Sequence, residues 1–295
     1  MIALILQNAK HKMRNVFIFY FPKKTLLLWE IFRHWLKNMI QVTNLTKIFE
    51  ERTVLNDINA TFDKGKVNMI IGKSGSGKTV MLKCLIGLAQ PTSGDIRYEG
   101  ESIIGLGAKE INRLRRDMGM LFQGSALFDS KTALENVLFP LEMFSEKSRR
   151  ERRKRAEFCL ERVNLADAKD LFPSEISGGM MKRVAIARAI ALNPKYLFCD
   201  EPNSGLDPQT AQLIDELIAD ITTEYGMTTV VVSHDMNSVI NIGDHIIFLN
   251  EGIKEWTGAR HEVMNTDNEK LNDFVFASDL FRKIKEAEDK LTILD

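Results

Sequence analysis

The sequence predicts an α/β fold, a β-sheet covered by helices, from three features of its pattern. From Met39 onward, short β-rich runs alternate with helical patterns. Residues 67–71 form a largely apolar run that passes directly into a glycine-rich turn and then an apolar helical stretch at 80–87. β character returns at 196–199, 228–233 and 245–249 after a long, charged helical stretch at 133–171, so a helical insertion interrupts the α/β core. The chain has 295 residues, 44% of them apolar and 27% charged, which is ample for one large globular domain or two smaller ones. That composition excludes a disordered chain, a collagen and a small disulfide scaffold.

Taken in order, residues 1–38 come first, with seven of the chain's aromatics and seven Lys/Arg against one acid. This basic aromatic leader has two readings: a segment lying on an anionic membrane surface, or upstream sequence ahead of a start at Met39. The second is the expectation, because Met39 immediately precedes the first strand pattern. The leader lacks the apolar block and cleavage site of a secretory signal. Its uncharged stretches are far shorter than the roughly 18 residues a membrane span needs. Residues 40–45 and 56–62 read as strands closed by turn signals at 63–65, and 94–98 and 118–122 are further strands. The basic cluster at 147–155 has no interleaved aromatics and opens a helix with apolar Phe158, Leu160 and Val163 on its other face. It reads as a solvated helix face, and with 40 basic against 40 acidic residues overall no nucleic-acid partner is expected. Cys84, Cys159 and Cys199 lack zinc-like spacing and lie in apolar stretches, as suits buried thiols in a reducing compartment.

Gly72-Lys73-Ser74-Gly75-Ser76-Gly77-Lys78-Thr79 matches G-x-x-x-x-G-K-[ST] and sits between a strand and a helix. In that context glycines let backbone N–H groups and the helix N-terminus wrap phosphates, Lys78 reaches the outer phosphates, and Thr79 can hold Mg²⁺. A second apolar strand ends in Asp200 and Glu201. Paired with the phosphate turn, Asp200 is the candidate Mg²⁺ holder and Glu201 the candidate general base for water attacking the γ-phosphate. Ser177-Gly178-Gly179-Met180, ahead of a basic, alanine-rich run, reads on its own either as another anion-binding helix start or as a plain loop.

With these motifs in this order, residues 39 to about 260 resemble the nucleotide-binding domain of the ATP-binding cassette family. The resemblance implies a P-loop NTPase core, a RecA-like mixed sheet with helices, carrying an antiparallel β subdomain and a helical subdomain inserted at about 124–190. The cassette is expected over 39–275, with a C-terminal helical tail over 276–295. It assigns Gln123 to the residue that contacts Mg²⁺ and water, His234 to the histidine that touches the γ-phosphate, and Asp207 to the loop crossing between subunits. Phe49 takes the place of the aromatic that stacks on adenine, where Tyr is commoner. It also implies a head-to-tail homodimer in which one phosphate loop and the partner's Ser177-Gly178-Gly179-Met180 enclose each ATP.

A chain of this family without a membrane span works with a separate integral permease docked on the helical insertion, at the cytoplasmic face of the inner membrane. Leu127, Phe128, Leu138, Phe139 and Met143 are candidates for that socket. Met180, where Gln is usual, and Gly124-Ser125-Ala126-Leu127-Phe128-Asp129-Ser130 resemble the ATPase subunit of Mla-type phospholipid transporters. These act with a lipid-binding substrate protein. The alternatives are an ATPase for another cargo (amino acids, peptides, ions or lipoproteins) and a cassette ATPase with mechanical or regulatory work.

Overall fold

The computed structural model describes residues 39–278, 281–283 and 285. The predicted leader and most of the predicted tail lie outside these described residues. The strands are β1 (Ile40–Phe49), β2 (Arg52–Phe62), β3 (Val67–Ile71), β4 (Ser93–Tyr98), β5 (Glu101–Ser102), β6 (Met118–Leu121), β7 (Tyr196–Asp200), β8 (Thr228–Ser233), β9 (His245–Asn250) and β10 (Ile253–Ala259). The helices are α1 (Lys78–Leu85), α2 (Ala108–Arg115), α3 (Ala133–Phe144), α4 (Arg149–Arg162), α5 (Gly178–Ala189), α6 (Pro208–Tyr225), α7 (Met236–Ile242) and α8 (Glu269–Val275).

Two sheets result, in keeping with the predicted fold class. One is antiparallel, in the order β2-β1-β4-β5. The other runs β10-β9-β3-β8-β7-β6, parallel except for β10 at its edge. Both faces of the parallel sheet are buried, which is why its strands read as nearly continuous apolar runs. The period of two then divides the core. Val67, Met69 and Ile71 of β3 and Val231 of β8 point into one cluster with α3, α4, α5 and α6. Ile70, Val230 and Val232 point into the other, shared with α1 and the antiparallel sheet. Tyr98, fully buried in that second cluster, donates its hydroxyl hydrogen bond to the Leu85 carbonyl at 2.7 Å and packs edge-on against Tyr196.

The helical stretch predicted at 133–171 is divided by its own capping residues. Thr132 and Glu135 form a reciprocal capping box at the start of α3, and Ser148 and Glu151 form another at the start of α4. Both ends are fixed locally, so the break between α3 and α4 needs no long-range contact. The basic residues of α4 lie mainly on its exposed side, with Ala156, Cys159 and Leu160 buried beneath. Arg155 turns inward and donates to the carbonyls of Ile190 and Ala191 just past α5, completing that helix end.

α5 returns the chain from this helical region to the parallel sheet, and it touches β6 closely. A Cβ at Gly119 would stand 2.5 Å from the Ala189 carbonyl oxygen, a backbone atom that cannot move aside. Gly119→Ala is therefore expected to destabilise the chain by about 1–3 kcal/mol, read as a lowered midpoint in thermal unfolding.

Candidate functional site

The glycine-rich turn joins β3 to α1 at the end of the parallel strands. Gly72 has φ +147°, and a Cβ there would lie 2.1 Å from the Leu249 carbonyl oxygen, so only glycine fits. α1 starts at Gly77 with no side-chain cap and no acid in its first turn. Its first N–H groups are thus left for an anion. Lys78 is 5% exposed and its Nζ donates to the carbonyls of Gly72 and Lys73 at 2.8 and 3.0 Å, which bends the side chain back over the turn. Burial lowers the Lys78 pKa, and the nearby Glu201 and Asp200 carboxylates oppose that shift. The Ser76 hydroxyl is buried in the same turn without a hydrogen-bond partner.

Asp200, at the end of β7, accepts from the Thr79 hydroxyl at 3.1 Å. Burial pushes the Asp200 carboxyl up, the Thr79 hydrogen bond opposes this, and Glu201 beside it pushes further upward. Glu201 has φ +46°, a left-handed conformation that is costly for a residue with a Cβ. Its N–H donates to the Val232 carbonyl at 3.0 Å, and its carbonyl accepts from Ser204 N–H at 3.2 Å, so the bend is held on both sides. The bend aims the carboxylate at His234, whose Nδ1 lies 3.1 Å from Glu201 Oε1. Gln123 Nε2 lies 3.5 Å from the other Glu201 oxygen and 3.3 Å from Ser204 Oγ. A cavity of about 600 Å³ opens beside this group, lined by Lys73, Glu201, Ser204, His234, Phe274 and Phe281.

Lys78, Thr79, Asp200, Glu201, Gln123 and His234, predicted as separate motifs, are thus one constellation. The predicted residues outside the phosphate turn and this constellation are placed elsewhere. Ser177 caps α5, accepting from Met180 N–H at 3.3 Å, and α5 has no acid in its first turn. Among the described residues no hydrogen bond joins Ser177, Gly178, Gly179 or Met180 to the phosphate turn. Asp207 caps α6 through Thr210 N–H at 3.0 Å, which lowers its pKa. Phe49, at the end of β1, is 46% exposed with Lys47 Nζ 4.5 Å above its ring. Of the predicted socket residues, Phe128 and Met143 are exposed, Phe128 packs on Phe139 at 4.7 Å, and Leu127 and Leu138 pack against the core.

The sequence places Ser204 in the subunit-crossing loop and Lys182 and Arg188 in a basic helix, but assigns none of the three a partner. Lys182 is 4% exposed and its Nζ donates to the Gln123 carbonyl. Arg188 donates to the carbonyls of Ser125 and Ala126, two successive residues with positive φ. The basic character of that run was the available signal; which carbonyls it reached was not legible.

A phosphate turn on a buried parallel strand, facing an acid pair on another, defines a P-loop nucleoside triphosphatase. Residues 55–204 match the ABC transporter family, and the chain belongs to it as a transport-coupled ATP hydrolase. The methionine import ATP-binding protein MetN of Campylobacter jejuni is 37% identical over 257 residues, covering 82% of this chain and 76% of that protein. A dimeric post-hydrolysis state of the ATP-binding cassette MJ0796, bound to ADP and Pi, is 37% identical with a TM-score of 0.69, covering 75% of this chain and 98% of that one. CbiO1 from Clostridium perfringens, part of the transporter complex cbiONQ, gives a TM-score of 0.73 at 28% identity, covering 85% and 98%. These relatives bear on one expectation, the cargo. The MetN proteins of Campylobacter jejuni and Haemophilus influenzae are named for methionine import, which favours the alternative of another cargo over Mla-type phospholipid transport.

Proposed function

We propose that two copies of this chain clamp two ATP molecules, each phosphate turn facing the partner's Ser177-Gly178-Gly179, and so power an amino-acid importer. The observation that carries this is the split of the site. Glu201, His234, Gln123 and the uncapped start of α1 converge, while the second anion-ready helix start, at Ser177, has no bond to them within the chain. The dimeric, ADP- and Pi-bound cassette with 37% identity supports a nucleotide-bound dimer.

In this reading Lys78 and the turn hold the β- and γ-phosphates, and Phe49 stacks on adenine. Glu201, held in its bend, takes the proton from the attacking water. His234 fixes that carboxylate through Nδ1 and touches the γ-phosphate, and Gln123 orients the water from the opposite side. Asp207 and Met180 meet the partner. The Thr79 hydroxyl and Asp200 carboxylate, 3.1 Å apart, are the hard oxygen donors that suit Mg²⁺, and Gln123 is the third ligand of this reading. When bound there, Mg²⁺ neutralises charge on the β- and γ-phosphates.

A separate integral permease docks on the helical region around Phe128 and Met143, at the cytoplasmic face of the membrane. Among the described residues no helix is long and apolar enough to cross a membrane itself. The amino-acid cargo rests on the names of the MetN relatives. Phospholipid cargo is the second reading, favoured by Met180 and by residues 124–130. Purifying the chain from detergent-solubilised membranes, with mass spectrometry of its partners and of the small molecule held by the binding partner, tests both. A permease with a bound amino acid is expected; a bound phospholipid overturns the cargo, and no integral membrane partner overturns the transport role.

A further inference from the structure

A buried polar ring lies behind the catalytic loop, and no step of the proposed hydrolysis uses it. Asp215 of α6 and Ser238 of α7 are 2% and 1% exposed. Half-buried Asn203 bridges them, its Nδ2 donating to Asp215 Oδ1 at 2.7 Å and to Ser238 Oγ at 2.9 Å. Ser238 also hydrogen-bonds the Asp215 carboxylate, which closes the ring. Asn203 Oδ1 is buried without a partner. Among the described residues, the titratable groups that bear on Asp215 are acids: Glu216 on α6, Asp235 at the start of α7 and Cys199 on β7. Burial first, and then those two carboxylates, push the Asp215 carboxyl up to about 6, against the two hydrogen bonds that lower it.

A buried carboxylate facing only acids is costly, and a closed ring of hydrogen bonds fixes whatever it joins. What it joins here is specific. Asn203 lies two residues past the strained Glu201, and its carbonyl accepts from Leu206 N–H at 3.2 Å, next to Asp207. α7 begins immediately after His234 and its cap Asp235. The 3.1 Å contact between His234 and Glu201 therefore spans two segments whose far sides meet at Asp215.

We infer that Asp215 is a positioning residue for ATP hydrolysis, holding the Glu201 loop and the His234 arm in one register through Asn203 and Ser238, and releasing them when it is protonated. The inference rests on the proposed roles of Glu201 and His234. Ionised, Asp215 accepts from both neighbours. Protonated, it becomes a donor, so the Ser238 hydroxyl that donated to it must turn and accept instead, and the charge assistance in both hydrogen bonds is lost.

The test is steady-state ATP hydrolysis by the full chain between about pH 5 and 8, for wild type, Asp215→Asn and Ser238→Ala. Wild-type kcat is expected to fall as pH drops through about 6. Asp215→Asn is expected to lower kcat about tenfold at neutral pH, leave the KM for ATP within about twofold, and remove that acid step. Ser238→Ala, which deletes a donor to the carboxylate, moves the step to higher pH. An unchanged profile shape in Asp215→Asn, an effect confined to KM, or an unmoved step in Ser238→Ala overturns the inference. Glu201→Gln measured alongside separates the two readings: wild-type turnover in that variant removes Glu201 as base, while the Asp215 profiles still report whether the ring governs turnover.

Discussion

Glu201→Gln is expected to slow ATP turnover by about 10²–10⁴-fold while leaving ATP binding intact. Gln keeps the size of the side chain and a carbonyl oxygen for His234, but has no carboxylate to take a proton from water. The backbone bend is held by the Val232 and Ser204 hydrogen bonds, both main-chain, so it survives the change. Binding and hydrolysis should therefore separate cleanly: kcat falls and nucleotide affinity does not. If ATP holds the dimer together, the blocked enzyme accumulates as an ATP-bound dimer, visible as a doubled mass in size-exclusion chromatography with light scattering. Turnover within about tenfold of wild type would remove Glu201 from the role of base.

Much of this site was legible in sequence because its parts are local. The phosphate turn is one continuous segment whose strand and helix flank it directly, and β7 announces the acid pair by ending at Asp200, just before Glu201. Strands buried on both faces, such as β3 and β8, stand out as apolar runs for the same reason that they form the core. α2 is short and its apolar pair, Ile111 and Leu114, is only half-buried against the core, so its stripe is too brief to stand out. Asp207 and Pro208 supply a cap and a first-turn proline for α6, but assigning Asp207 to the subunit-crossing loop hides that helix start. The long-range partners were not legible at all. Gln123 meets Ser204 across 81 residues, Lys182 reaches Gln123 across 59, and Asn203 joins Ser238 across 35. No local pattern encodes such pairs; the sheet order β3-β8-β7-β6 creates them by bringing four strand ends to one edge.

Mixing two inactive variants is expected to restore hydrolysis. Lys78→Ala removes the cation that the Gly72 and Lys73 carbonyls hold over the phosphate turn, and should cost at least about 10²-fold in turnover. Ser177→Glu places a carboxylate where the start of α5 would meet the partner's phosphates, and repulsion should cost a similar factor. Ser177 also caps its own helix through Met180 N–H, so part of the stability of α5, about 1 kcal/mol, goes with it; circular dichroism at the assay temperature checks that the chain remains folded. Each variant alone gives a dimer with two broken sites. In a mixed dimer both lesions fall on one site and the other site is intact. Equal mixing makes half of the dimers mixed, so activity should recover to about a quarter of wild type when each site works by itself. A site built within one chain predicts the opposite, because both parents then carry a lesion in every copy and no mixture exceeds them. Recovery above both parents thus places Ser177 on the partner's nucleotide, and a flat mixing curve places it elsewhere.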